Sequence, residues 1–272
     1  MSSKLIYAWV PGLPHILRPE LSKSYAALNK GCLDLAAEFE RAGVTRVLYY
    51  STQWLSVLGQ SVQAKPRVSG LHVDENWYEI ANLKFDFTID VGMANALVEA
   101  SRAAGMQARS VNYEGFPVDT GTIVADRLIN KKNVPVGMYS CCVYSDHEET
   151  KRIGTLARDV ANKLDGVTAI VAVSGLSGRY FTTEIDHRED HIRDPKDDEW
   201  NKRVLKLAGA GQWTELRNIR DEYAKACKVD MGLKALSFLD GAGLCDEKTA
   251  FKTLAYDAVY GTGNAVLVSC PR

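Results

Sequence analysis

The chain has 272 residues, 46% of them hydrophobic and 25% charged, which is a globular mix. That length buries a sizeable core, as one large α/β unit or two smaller ones. A formal net charge of −1 argues against a basic surface for nucleic acid or another polyanion.

The elements follow in chain order. Residues 5–10 are an apolar run of strand length. Residues 23–42 carry Tyr25, Leu28, Cys32, Leu33, Leu35, Ala36 and Phe39 at helical spacing, and Gly43 fits the C-cap. Residues 44–50 predict a strand. Residues 85–91 alternate Phe85, Phe87, Ile89 and Val91 with polar neighbours, as a half-buried strand does. Helices are expected over 92–104 and 122–129, a strand over 134–143, a helix over 148–164 and a strand over 167–173. Three helices in a row, 197–208, 212–227 and 231–239, form an insertion before a last strand at 265–268. The alternation implies an α/β fold with a sheet covered on both faces. No linker or repeat interrupts it, so residues 1–272 are read as a single domain with a helical insertion around 197–240.

The start, MSSKLIYAWV, is interrupted too early for a signal peptide. No stretch reaches the roughly 18 apolar residues of a membrane span. Six cysteines (Cys32, Cys141, Cys142, Cys227, Cys245 and Cys270) show no Cys-x-x-Cys spacing and read as reduced thiols. These features predict a soluble, cytoplasmic protein with no nucleic-acid or membrane partner.

Sites in open α/β sheets form in loops beyond the strand ends, which directs attention to residues 11–17, 51–56 and 174–183. Five histidines are available as metal ligands: His15, His72, His147, His187 and His191. His187 and His191 stand four apart, so one helical face could present both, yet the charged residues around them suit a solvated segment. His72 and His147 have no partner at metal-ligand spacing, and His15 alone suits a hydrogen-bonded loop histidine. Ser174–Gly178 reads Ser-Gly-Leu-Ser-Gly, an imperfect match to the Gly-x-Ser-x-Gly nucleophile turn around Ser177. Gly261 and Gly263 in YGTGNAV precede a strand, the wrong order for a dinucleotide loop and the right one for a tight turn.

Six segments taken together carry more. PGLPHIL, YYSTQWLS, FPVDTGTI, VPVGMYSCC, VSGLSGRYFTTE and YGTGNAVL resemble, in order and approximate spacing, the class III extradiol ring-cleaving dioxygenases of the protocatechuate 4,5-dioxygenase type. LSGRYFTTE and GTGNAV are most similar to the 2-aminophenol 1,6-dioxygenases. The resemblance implies that fold, and an enzyme that opens 2-aminophenol with Fe(II) and O2 by pairing a catalytic β subunit with a related α subunit.

Catalytic members of the family have an iron-binding His where this chain has Gly12, and His15 matches a second, non-ligand His. Their second iron His stands where this chain has Gln53, before Trp54. Their acid/base His is matched by Gly178, and a second-shell His or Tyr by Thr120 between Asp119 and Gly121. Their third ligand, a Glu, falls near Ala226, with Glu222 close enough to remain open. Glycine offers no ligand, a Gln amide is a poor replacement for imidazole on Fe(II), and Thr has no proton to exchange near neutral pH. The resemblance therefore implies a chain with no catalytic, cofactor or metal residues of its own. Its partner would be a homologous β subunit bearing the Fe(II), in an α2β2 heterotetramer. Two other readings stay open. One is a stand-alone metal enzyme using His15 with His187 or His191 and an acid such as Glu184 or Asp186. The other is a regulatory subunit whose pocket holds a small molecule.

Overall fold

The computed structural model describes residues 4–246 and 248–271, so the first three residues of the N-terminal reading lie outside it. The strands are β1 (Lys4–Val10), β2 (Val44–Ser56), β3 (Gln60–Gln63), β4 (Arg67–His72), β5 (Leu83–Thr88), β6 (Ala108–Val111), β7 (Val136–Cys142), β8 (Val167–Val173), β9 (Thr249–Val259) and β10 (Thr262–Pro271). The helices are α1 (Lys23–Ala42), α2 (Val91–Ala103), α3 (Thr120–Ile129), α4 (His147–Ala161), α5 (Pro195–Gly209), α6 (Trp213–Cys227) and α7 (Lys234–Ala242).

Eight strands form one mixed sheet in the order β6-β3-β7-β2-β8-β1-β10-β9. Its centre, β7-β2-β8-β1, is parallel. β10 and β9 extend it antiparallel. The central strands are buried on both faces, which is why β1, β7 and β8 read as near-continuous apolar runs. β4 and β5 pair only with each other, as a separate hairpin.

Two cores result, one on each face of the sheet. The first gathers residues of α2, α4, α5, α6 and α7, with Tyr50 stacked on Phe238 at 4.2 Å. The second gathers residues of α1, α3 and the hairpin. α1 buries Tyr25, Leu28, Cys32, Leu35 and Phe39 on one stripe. Ser22 caps its start, and Gly43, at φ 70°, ends it in the left-handed conformation a glycine adopts without strain. Asp90, Asp119, Asp146 and Asp194 cap α2, α3, α4 and α5 through backbone N–H groups.

Some expectations need correction. Residues 51–56 are not a loop, because β2 continues to Ser56 across a jump in its register with β7 between Ser51 and Leu55. The 85–91 strand lies at 83–88, in the hairpin rather than in the main sheet. The third inserted helix begins at Lys234, after a tight turn in which Met231, Gly232 and Leu233 all have positive φ. β3, β4, β6 and β9 had no counterpart in the sequence reading. The first three are short or polar, and β9 is partly exposed along most of its length.

Candidate functional site

β1 and β8 end together at Val10 and Val173, level with Ser51 of β2, and the segments that follow occupy the place where an open α/β sheet has its crevice. Gly12 leaves β1 there. A Cβ on Gly12 would stand 2.6 Å from Gly121 Cα, 2.7 Å from Gln53 Nε2 and 2.8 Å from Val173 Cγ1. The Gln53 amide therefore occupies the space that a side chain at position 12 would need. Gly121 approaches it from the start of α3, where its own Cβ would meet Gln53 Cδ at 2.9 Å. Asp119 sets that approach. It caps α3 through Thr122 N–H at 2.9 Å and accepts the Ser51 hydroxyl at 2.6 Å.

Gly178 packs against the turn after α6. Its N–H donates to the Cys227 carbonyl at 3.2 Å, and a Cβ there would stand 2.6 Å from the Lys228 carbonyl oxygen. The turn after α6 thus closes on Gly178 with backbone. The same turn, through its left-handed residues, aims Asp230 inward. The Asp230 carboxylate accepts the hydroxyls of Thr52 and of Ser174, the latter at 3.2 Å. Burial raises its pKa, and these hydroxyl donors oppose the rise. Asp230 is thereby tied to Thr52, the neighbour of Gln53, and to Ser174 after β8. Glu222 is exposed on α6, and near Ala226 only a carbonyl is offered, already taken by Arg179 at 2.8 Å. Asp230 was missed because the turn that delivers it has no helical or strand periodicity.

Thr120 meets two groups from the hairpin. Its hydroxyl donates to Asp74 Oδ2 at 2.6 Å and lies 2.8 Å from His72 Nε2. A hydroxyl has one proton, so His72 carries its own on Nε2 and donates it to Thr120. Burial pushes the Asp74 carboxyl up, but the Thr120 hydroxyl and two backbone N–H groups outweigh it and hold the pKa low. His147 bonds Ser237 at 2.8 Å, away from these groups.

His15 follows in a short 3-10 turn, Pro14–Leu17, and is 0% exposed. Its ring is boxed by Trp77 at 4.5 Å, Tyr25 at 5.4 Å, His187 at 5.5 Å and Tyr260 at 5.6 Å. Neither ring nitrogen has a hydrogen-bond partner among the described residues. Burial, reinforced by His187, lowers its pKa to about 3, so the imidazole is neutral. The structure does bring His15 and His187 together. His187, however, is engaged by the Tyr25 hydroxyl at 2.9 Å, which itself donates to Asp190 at 2.9 Å. The acids named with these histidines stay outside: Glu184 is exposed, and Asp186 caps the turn over 187–189. His191 is exposed and bonds the Glu189 carbonyl at 2.7 Å. Among the described residues, no three His, Cys, Asp or Glu side chains form a group that could hold a metal ion.

The remaining motifs are structural. Ser177 Oγ accepts from Gly263 N–H at 2.8 Å and from Asn201 Nδ2 at 3.2 Å in the interior. Gly261 lies in the turn between β9 and β10, and its N–H donates to Asp190 at 2.8 Å, so the glycine turn binds the chain's own carboxylate.

Comparison with known proteins places this geometry. The chain is similar to a Pseudomonas 2-aminophenol 1,6-dioxygenase alpha subunit, 38% identical over 95% of this chain and 96% of that one. It is 23% identical to a Pseudomonas 2-aminophenol 1,6-dioxygenase beta subunit, over 81% and 76% of the two chains. A 3,4-dihydroxyphenylacetate 2,3-dioxygenase of Escherichia coli matches at 21% over 80% and 78%. The fold matches the crystal structure of an uncharacterized protein from Escherichia coli K12 at a TM-score of 0.68, 13% identical over 98% of this chain and 99% of that one. The model of the family described as the catalytic LigB subunit of aromatic ring-opening dioxygenase matches residues 6–268, and the chain belongs to that family.

Proposed function

We propose that this chain is the non-catalytic α-type subunit of a 2-aminophenol 1,6-dioxygenase-type enzyme, and that it binds and stabilises a homologous, iron-bearing β-type subunit. The observation that carries the reading is that Gly12 and Gly178 are each closed in by their own neighbours: Gln53 and Gly121 stand against Gly12, and the Lys228 carbonyl stands against Gly178. Extradiol iron chemistry needs imidazole and carboxylate ligands with open positions between them. Gly12, Gln53 and Gly178 supply no imidazole, and the nearby Asp230 carboxylate is engaged by Thr52 and Ser174. The residues present do not fit an Fe(II) centre. Nor does the crevice hold a group at position 178 or 120 to move a proton near neutral pH. The α and β names of the two Pseudomonas relatives support a hetero-oligomer, for which α2β2 is the assembly proposed. The reading takes residues 1–272 as one domain, supported by the family match over 6–268.

The test is to purify the chain alone and together with the β-type chain of the same source. Iron content and 2-aminophenol ring opening are then measured on both samples. The expected outcome is no turnover and no stoichiometric iron in the isolated chain, with both present in the complex. Stoichiometric iron and turnover in the isolated chain would overturn the proposal.

A further inference from the structure

The box around His15 has walls of two kinds. Tyr25 lies on α1, Tyr260 between β9 and β10, and His187 in the turn over 187–189. One carboxylate braces all three. Asp190 accepts the Tyr25 hydroxyl at 2.9 Å and the Tyr260 N–H, and the Tyr25 hydroxyl in turn holds His187 at 2.9 Å. The fourth wall, Trp77, comes from residues 73–82, which join β4 to β5. That connection is longer than the roughly 2–5 residues of a common hairpin loop. Its flanking strands are anchored, with Val68, Leu83 and Phe87 buried in the second core. The connection itself is largely open to water, with Val73, Glu75, Asn76, Tyr78 and Glu79 exposed. Among the described residues two hydrogen bonds leave it, from Thr120 to Asp74 Oδ2 at 2.6 Å and from Arg18 to the Ile80 carbonyl at 2.9 Å. Trp77 meets the box by ring contact, 4.5 Å from His15 and 4.7 Å from Tyr260.

We infer that residues 73–82 are a lid that unfolds locally from the box, between hinges at β4 and β5, when His15 takes up a proton. Closed, the lid seals a ring whose nitrogens have no partner among the described residues, so a proton and its charge find no acceptor there. The groups around the ring come from every element packed on it. They are Tyr25 from α1, His187 from its turn, Tyr260 from the β9–β10 turn, and Asp74 from the lid, with Asp190 behind Tyr25 and Tyr260 and with His72 and Thr120 beside Asp74. Burial opposes the proton most, His187 adds to that, and Asp74 favours it. The Asp74 carboxyl is itself held low, so its bond to Thr120 stays in place while His15 titrates. A charged His15 must reach water, and the wall that lacks the Asp190 brace is the one that yields. With an ordinary value near 6.5 once exposed and about 3 when sealed, His15 favours the open form about 30-fold more at pH 5 than at pH 7.5. Opening bares His15 and the start of α3 at Thr120.

The test is amide hydrogen exchange of the full chain at pH 7.5 and pH 5, each protection factor referred to the intrinsic rate at that pH. The lid supplies its own reporters: Ile80 N–H donates to the Trp77 carbonyl at 2.9 Å, and Trp77 N–H donates to Asp74 at 3.0 Å. In the unmodified chain, lid protection should fall about 30-fold from pH 7.5 to pH 5 and lie below that of β8 at both. In His15→Leu the fall should be less than about threefold. His15→Gln is the second uncharged variant if the first folds poorly, and thermal melts confirm folding. Lid protection that does not change with pH in the unmodified chain overturns the proposal. A fall retained in the folded His15 variants assigns the titration to another group, such as His187 or His72, and overturns it too. Lid amides that match β8 in both level and slope also overturn it, because His15 is then reached only when the whole chain unfolds.

Discussion

Gly12 and His15 sit on one loop, three residues apart, in surroundings of opposite kind. Around Gly12 the crevice is filled to contact by Gln53, Gly121 and Val173. Around His15 the chain has built an aromatic box that buries a titratable ring and, among the described residues, gives neither nitrogen a partner. A missing side chain is thus held in place by tight packing, and a retained one is sealed in without a polar contact. The residue type that attracts attention in the sequence is the less informative of the two. Its neighbours account for its burial.

The largest expected effect comes from trying to refill the crevice. Gly178→His must push its Cβ into the Lys228 carbonyl, 2.6 Å away, so backbone has to move. A loss of about 3 kcal/mol follows, or roughly 6–12 °C in a thermal melt. Adding Gly12→His and Gln53→His should lower the melt further and bring no iron into the isolated chain. A triple variant that melts like the parent and takes up iron breaks the contrast drawn above.

The second effect tests the box. His15 has a pKa of about 3 when folded and an ordinary value near 6.5 when unfolded. Above pH 6.5 neither state is protonated there, and its contribution is constant. Below it the unfolded chain takes a proton that the folded chain refuses, so stability falls as pH falls until about pH 3. From pH 6.5 to pH 5 the loss is about 2 kcal/mol. Urea melts at pH 7 and pH 5 should show it in the parent and show it much reduced in His15→Leu. Equal pH slopes in the two proteins would remove the box from the account.

The smallest effect sharpens the boundary of the box. His191 is exposed and bonds the Glu189 carbonyl. His191→Ala should change stability by less than about 0.5 kcal/mol and leave association with the β-type chain unchanged. A larger change in either places His191 with His187 and reopens the metal reading.

Much of this was legible in the sequence where physics leaves a period. The buried strands β1, β7 and β8 are apolar runs, and α1 shows its stripe and its terminal glycine. The loops holding Gly12 and Gly178 were legible too, because strand ends locate loops, whereas Gln53 lies within the continued strand β2. Other features have no local signature. β3 has four residues and β6 has four, too few to alternate visibly. Trp77 reaches His15 only through the folding-back of a hairpin, a contact between distant residues that no window contains. Asp230 depends on successive left-handed residues, two of them not glycine, which tertiary packing imposes against local preference.

The register jump in β2 has a consequence for what can change in this stretch. Between Ser51 and Leu55 the strand advances four residues while β7 advances one, from Ser140 to Cys141. Three residues, Thr52, Gln53 and Trp54, are therefore spent outside the pairing, an odd number. Side chains alternate along a strand, so a single deletion here reverses the parity of everything downstream. Leu55 and Val57 would turn from water toward the interior, and Ser56 would turn outward. A substitution among these residues leaves the parity intact, whereas a change in their count does not. Such a stretch can lose a ligand by substitution and keep its length to the residue, a chemical history rewritten on an unchanged ruler.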